Sequence, residues 1–367
     1  MIIDGHAHVF PRLGSAPPEL AGLQLRLLQH HVQYHPQGFR RAADGARLSA
    51  SPIAPDGDGL DDMPEAEVRV GRHGRLHFRV GGQEYYLPWY PPSLDELEAT
   101  PEALIAQMDY AGVDRAVIQH DHLYGRLDDY LPDVRRRFPR LLPLAQIDEW
   151  SGDLEGEAAR LRRQLDGGCV GLYFCVEALA MLDFRRAFDD PCFEPVWAQV
   201  TERGVPVFWY LYTSQRDRLG SYLEQVCRLD RWAQAHPEIP CIYTHGIESI
   251  VLRPRAERFR IPDEVLACCS RPNVHLEVML HLMAPDTEYP YAWAMPILER
   301  LYRELGPDKL IWGSDMPAAL RSCTYRQSMD YVLRHAAFMA AADLDLFLGG
   351  NLARLLHVRP ESSEDDT

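Results

Sequence analysis

Eight short apolar runs punctuate the chain, and they restrict what it can fold into more than any other feature. They begin with the first residues, Met-Ile-Ile-Asp-Gly-His-Ala-His-Val, and continue at 115–119, Leu141–Ile147, Cys169–Phe174, Pro206–Leu211, Ile239–Thr244, Val274–Met279 and Lys309–Trp312. Most are apolar throughout instead of alternating, as parallel strands covered on both faces must be. Amphipathic segments lie between them, among them Phe193–Arg203, Arg218–Ala235, Met295–Leu305 and Tyr325–Ala341. Eight strand–helix units predict an α/β fold, a (β/α)8 TIM barrel, with a doubly wound open sheet as the alternative. At 367 residues the chain is long for one domain, but a barrel with insertions reaches that size, so 1–358 is read as a single domain.

Two stretches fall outside this rhythm. Residues 10–92 are rich in Pro and Gly, hold His30, His31 and His35, and contain short alternating runs at 67–72 and 76–87 with Gly71, Gly74, Gly81 and Gly82 between them. They are expected to form a lid-like insert after the first strand, carrying a β-hairpin. The acidic tail, 359–367, is expected to be disordered. Between insert and barrel, a helix is expected over 101–111, with Thr100 as N-cap, Pro101 in the first turn and Gly112 past its end.

A formal net charge of -16 argues against nucleic acid and anionic membranes as partners, and leaves a small-molecule substrate. No basic start followed by an apolar run is present, so a cytoplasmic protein is expected. The eight Cys form no Cys-x-x-Cys pair and receive no role.

A barrel places its chemistry at the C-terminal ends of its strands. His6 and His8, at i and i+2, leave an extended strand on the same face about 7 Å apart, and two neutral imidazoles so placed can converge on one ion. The plainer reading is two polar residues where a strand meets a loop. The other ends are also polar: Gln119 to His122; Asp148 and Glu149; Trp209, Tyr210 and Tyr212; Thr244 and His245; Ser314 and Asp315. Strands that only held a core together would not carry such a set. His120 and His122 are read as substrate contacts more readily than as metal ligands. Trp209, Tyr210 and Tyr212 suit the wall of a pocket for a planar substrate, with core packing accounting for at least one of them; Trp89 and Tyr90 in the insert are similar. Arg321 suits a bidentate clamp on a substrate carboxylate, and Arg326 a solvated helix position. Glu277, inside an apolar strand, needs a partner if it faces inward.

In order and spacing, His-x-His on the first strand, Thr-His-Gly (244–246), Trp-Gly-Ser-Asp (312–315) and Gly-Gly-Asn-Leu-Ala-Arg (349–354) resemble the amidohydrolase-related family. This is the branch that includes aminocarboxymuconate-semialdehyde decarboxylase and pyrone-dicarboxylate lactonase. The resemblance implies a barrel with a mononuclear site: His6, His8 and Asp315 as ligands of one divalent ion, zinc or a similar borderline metal, and His245 acting on substrate or water. It also suggests a homodimer. It implies a hydrolase attacking a lactone, ester or amide carbonyl, or else a metal-dependent, non-oxidative decarboxylase of an aromatic or unsaturated acid.

One departure stands out. Members that hold a metal firmly place a His near the end of strand five, where this chain has Tyr210 in Pro206-Val207-Phe208-Trp209-Tyr210. Three arrangements stay open: a metal held by His6, His8, His245 and Asp315; Tyr210 ligating as a phenolate; or a site that works without metal. The missing His favours hydrolysis, because decarboxylation in this family leans on firm chelation. Strand four carries no Lys, which argues against a carbamate-bridged metal pair.

Overall fold

A computed structural model of the chain describes residues 1–14, 18–35, 37–212, 218–247, 261–283, 288–292 and 294–359. Strand β1 (Ile3–Ala7) is buried over its whole length. The chain then enters the insert, a helix at Pro18–Val32 followed by β2 (Arg40–Arg41), β3 (Glu67–Val70), β4 (Arg75–Val80) and β5 (Gln83–Pro88). These four strands form an antiparallel sheet in the order β2-β5-β4-β3. The run 76–87 is thus two strands, folded at Gly81-Gly82, whose positive φ values of 55° and 78° suit a two-residue hairpin loop.

The remaining strands are β6 (Arg115–Ile118), β7 (Leu141–Pro143), β8 (Ala145–Gln146), β9 (Leu172–Cys175), β10 (Val207–Tyr210), β11 (Cys241–Tyr243), β12 (Val274–Val278) and β13 (Leu310–Trp312). All pair in parallel, β1-β6-β7 in one sheet and β8 to β13 in another. Leu144 alone separates β7 from β8, so one run of chain joins the two sheets. The ring closes where His8 N–H donates to Met316 O at 2.7 Å and Asp315 N–H to His6 O at 2.8 Å. The product is the (β/α)8 barrel expected from the eight runs.

Alternation along each strand sorts the core into two shells. Ile3, Val117, Leu142, Tyr173, Phe208, Ile242 and Ile311 fill the barrel, with Leu352 closing the end away from the site. The neighbouring positions, such as Ile118, Phe174 and Trp209, pack outward against the helices. The closing Gly-Gly-Asn segment is structural: Asn351 Nδ2 donates to Pro307 O and Leu310 O, both at 2.8 Å, and pins the C-terminal helix Asn351–Leu355 beneath the barrel.

The helix Pro101–Ala111 forms with the expected cap, Ala103 N–H donating to Thr100 Oγ1 at 3.2 Å, and ends at Gly112 in the left-handed region. The amphipathic stretch 325–341 is instead broken, a helix at Gln327–His335 and a second at Ala341–Asp345. Ala336 and Met339 between them turn into the core. The tail beyond 359, where disorder was expected, lies outside the described residues. Among the described residues no helix is long and apolar enough to cross a membrane, and all eight cysteines are free thiols.

Candidate active site

At the C-terminal mouth of the barrel, β1 delivers two imidazoles and the segment after β13 a carboxylate. His6 Nε2 lies 3.1 Å from His8 Nε2, and His8 Nε2 lies 3.0 Å from Asp315 Oδ1. The third side of the triangle, His6 Nε2 to Asp315 Oδ1, is 3.9 Å. The remaining ring nitrogens are engaged elsewhere. His8 Nδ1–H donates to Gln119 O at 2.8 Å, and His6 Nδ1 meets Glu277 Oε2 at 2.8 Å. With each Nδ1–H donated outward, both Nε2 lone pairs and the carboxylate oxygen face a common centre. Three acceptors at such separations repel one another unless something positive lies between them. Ligands bound at about 2.0–2.1 Å to a tetrahedral ion stand roughly 3.3 Å apart, which the observed triangle brackets.

Asp315 is held in the left-handed region, φ 57°, a conformation Asp tolerates better than most residues. Burial pushes its carboxyl up, but the adjoining His8 ring, with His6 and Arg321 close by, outweighs burial and holds it well below the usual carboxylate range. His6 goes the other way: burial, reinforced by His8, lowers it to about 3, so the ring is neutral.

Behind the triangle, Glu277 is fully buried inside the barrel. Burial pushes its carboxyl up to about 8, against the pull of donors on both oxygens. These include His245 N–H at 2.9 Å and Gln119 Nε2 at 3.2 Å. A Cβ at Gly5 would approach Trp312 O to 2.9 Å and Glu277 Oε1 to 3.1 Å, so only glycine leaves room for this carboxyl beside β1. Asp4 anchors the opposite face. It accepts from Ser314 Oγ at 2.5 Å, Ser314 N at 2.9 Å and Tyr325 OH at 2.7 Å, while burial pushes it up to about 7. The Ser of Trp-Gly-Ser-Asp therefore ties the last strand to the first.

His245 flanks the triangle, its ring centroid 4.5 Å from that of His6 and 4.8 Å from that of Tyr210. Thr244 Oγ1 donates to Trp209 O at 3.1 Å, so it accepts from His245 Nδ1–H at 3.1 Å. That fixes the tautomer and leaves Nε2 as the acceptor. Burial, with His6 adjacent, holds His245 well below its ordinary value, so it is a neutral base.

These groups open onto a cavity of about 280 Å³ whose wall includes His8, Asp315, His245, Tyr210 and Arg321. The insert contributes His31, His35, Trp89 and Tyr90 to the same wall. Arg321 donates to Trp89 O at 2.7 Å and to His35 Nε2 at 2.9 Å; among the described residues no carboxylate lies within ion-pair distance of it.

Several expected contacts lie elsewhere. Trp209 is fully buried among Phe174, Trp197 and Trp232, because alternation turns Phe208 inward and Trp209 toward the helices. Tyr212 stacks on Phe184 at 4.9 Å beside a second cavity of about 220 Å³. His122 bonds Glu149 at 2.6 Å and packs edge-on against Trp150, bordering a separate cavity of about 40 Å³. His120 is buried and, like His122, does not line the main cavity. After β6 the chain instead turns Asp121 and Tyr124 toward the site. Arg326 pairs with Asp330 at 2.9 Å, a structural role. The sequence marks Gln119 and Asp121 only as polar strand ends and the insert histidines only as part of a lid, without a role for any of them, and it gives no sign of Asp4 or Tyr124 at the site.

The sequence model of the family described as Amidohydrolase matches residues 3–358. No curated protein matches the sequence. Solved structures with similar folds include a probable 2-pyrone-4,6-dicarboxylic acid hydrolase from Acinetobacter baumannii with citric acid bound, at TM-score 0.54 and 15% identity over 71% of this chain and 90% of that one. An amidohydrolase from Burkholderia multivorans with bound zinc is similar at TM-score 0.54 and 16% identity over 71% and 89%. The 2,6-dihydroxybenzoate decarboxylase from Rhizobium reaches TM-score 0.50 at 16% identity over 70% and 88%. By its end-to-end match and its barrel, this chain is an enzyme that belongs to the amidohydrolase family.

Proposed function

We propose that the enzyme is a hydrolase that opens a lactone, ester or amide of a small carboxylated or aromatic substrate, with one divalent ion, zinc or a similar metal, held by His6, His8 and Asp315. The observation that carries this reading is the triangle of 3.1, 3.0 and 3.9 Å between three acceptor atoms facing one centre. An ion bound there supplies Lewis acidity, polarising the carbonyl and easing deprotonation of water.

The chain's own residues supply the rest. Arg321, unmatched by a carboxylate, receives an anionic group of the substrate. Tyr124, Tyr173 and Tyr210 offer aromatic faces to a planar ring. His245 Nε2 takes the proton of the attacking water and passes it to the leaving oxygen or nitrogen as the acyl bond breaks. Asp315 stays ionised throughout and orients the water.

Similarity in fold to both a pyrone hydrolase and a dihydroxybenzoate decarboxylase makes carboxy-lyase activity the alternative, and Tyr210 in place of a fifth-strand His weighs against it. The two are separated by incubating the zinc-loaded enzyme with carboxylated lactones and aryl esters, and with hydroxybenzoates, recording acid and carbon dioxide release. Acid release from the first set without carbon dioxide from the second is expected. Carbon dioxide release alone would replace hydrolysis with decarboxylation.

A further inference from the structure

Beyond the triangle, one more set of ligand-type side chains converges among the described residues. His31, Asp121 and Glu177 each offer an atom within 4.8 Å of the other two. They come from three separate segments: the insert helix Pro18–Val32, the turn after β6, and the 3-10 segment Val176–Leu182 after β9. His31 and Asp121 line the same cavity as His8 and Asp315.

Each acid is already steered by a neighbour. Glu177 is buried, and its Oε1 meets Nδ1 of the buried His30 at 2.8 Å. His30 is itself fixed by donating Nε2–H to Asp58 O at 3.0 Å. The other oxygen, Oε2, lies 3.1 Å from His31 Nδ1. Asp121 Oδ2 accepts from Cys175 Sγ at 3.4 Å and Oδ1 from Leu123 N–H at 3.4 Å. Glu177 is thus held by one oxygen with the other beside the His31 imidazole, and Asp121 by a donor on each oxygen, as ligating carboxylates are hydrogen-bonded in metal sites. The 3.1 Å spacing is close to the roughly 3.3 Å expected between ligands sharing a small divalent ion. Two carboxylates this near each other in a partly desolvated wall also favour a positive charge among them.

We propose that His31, Asp121 and Glu177 form a second divalent-cation site on the wall of the catalytic cavity, with His30 as a positioning residue. One imidazole and two carboxylates suit Zn²⁺ or Mn²⁺. An ion there gives an anionic oxygen of the substrate an anchor separate from the His6–His8–Asp315 centre. The site stands on its own geometry and does not depend on which reaction the enzyme performs.

The test is to strip the full-length protein with a chelator and titrate it with Mn²⁺ and with Zn²⁺ by calorimetry, counting bound ions by elemental analysis. Two equivalents are expected for the unaltered protein and one for Glu177→Gln or Asp121→Asn. His30→Gln should keep two, the second weakened roughly 10–100-fold. Asp121, at the cavity wall, carries the test if loss of the buried Glu177 charge impairs folding. An ion lost in His6→Asn but unchanged in both Asp121→Asn and Glu177→Gln overturns the second site and leaves the first standing. An ion lost in Asp121→Asn but kept in His6→Asn does the reverse. Identical binding in all variants, or no binding at all, overturns the proposal.

Discussion

His6 and His8 can act as a ligand pair because Glu277 and Gln119 O occupy their other nitrogens; without those partners either ring is free to turn its proton inward. The pair itself was legible in the sequence, since an i, i+2 spacing on a strand dictates a shared face. Its partners were not. Glu277 lies 271 positions from His6, and nothing local in its strand distinguishes a carboxyl facing a histidine from one facing water. His245 has a different part, with Nδ1 tied to Thr244 and Nε2 left as a base. His245→Asn should lower kcat roughly 10²–10⁴-fold while the zinc content stays at the unaltered level. Parallel kcat and elemental measurements check this. An unchanged kcat would remove His245 from the chemistry, and a loss of zinc would make it a ligand.

The strands were readable as elements, but the direction of each side chain depended on one-residue register. Trp209 and Tyr210 are adjacent and equally aromatic, yet one packs under the helices and the other faces His245. Only the closed barrel decides which is which. The insert was the least legible part: His31 reaches Glu177 across 146 positions, a contact set by how a helix docks and by no pattern along it. β1 shows how little slack the site has. A methyl at Gly5 meets backbone oxygen Trp312 O at 2.9 Å, on the strand that carries both histidines. Gly5→Ala should destabilise the fold by about 1–3 kcal/mol and weaken zinc binding as β1 shifts. Urea denaturation with zinc titration would show it; unaltered values for both would mean that the strand yields freely.

For the whole molecule, barrel closure brings residues near both ends of the chain to one point, and the same closure buries many titratable groups. Burial holds His6, His35, His120, His245, His275 and His281 below their ordinary values. As pH falls below about 6.5 the unfolded chain takes up protons that these rings refuse, so stability falls on the acid side. His30, His31 and His122 have raised values, because Glu177 and Glu149 outweigh their burial. Their contribution is full below about 6.5 and is lost as pH rises through the raised values. The metal-stripped protein should therefore be most stable near pH 6.5, each histidine adding a slope of at most about 1.4 kcal/mol per pH unit on its own side. Denaturation midpoints from pH 5 to 9 test this, and stability that rises steadily across that range would contradict it.

The central claim is that three side chains share one ion, and anomalous diffraction at the zinc edge from a crystal of the zinc-loaded enzyme tests it most directly. The account predicts a peak about 2.0–2.2 Å from His6 Nε2, His8 Nε2 and Asp315 Oδ1 together. No peak within reach of those three atoms, in crystals whose zinc is seen elsewhere, would contradict it.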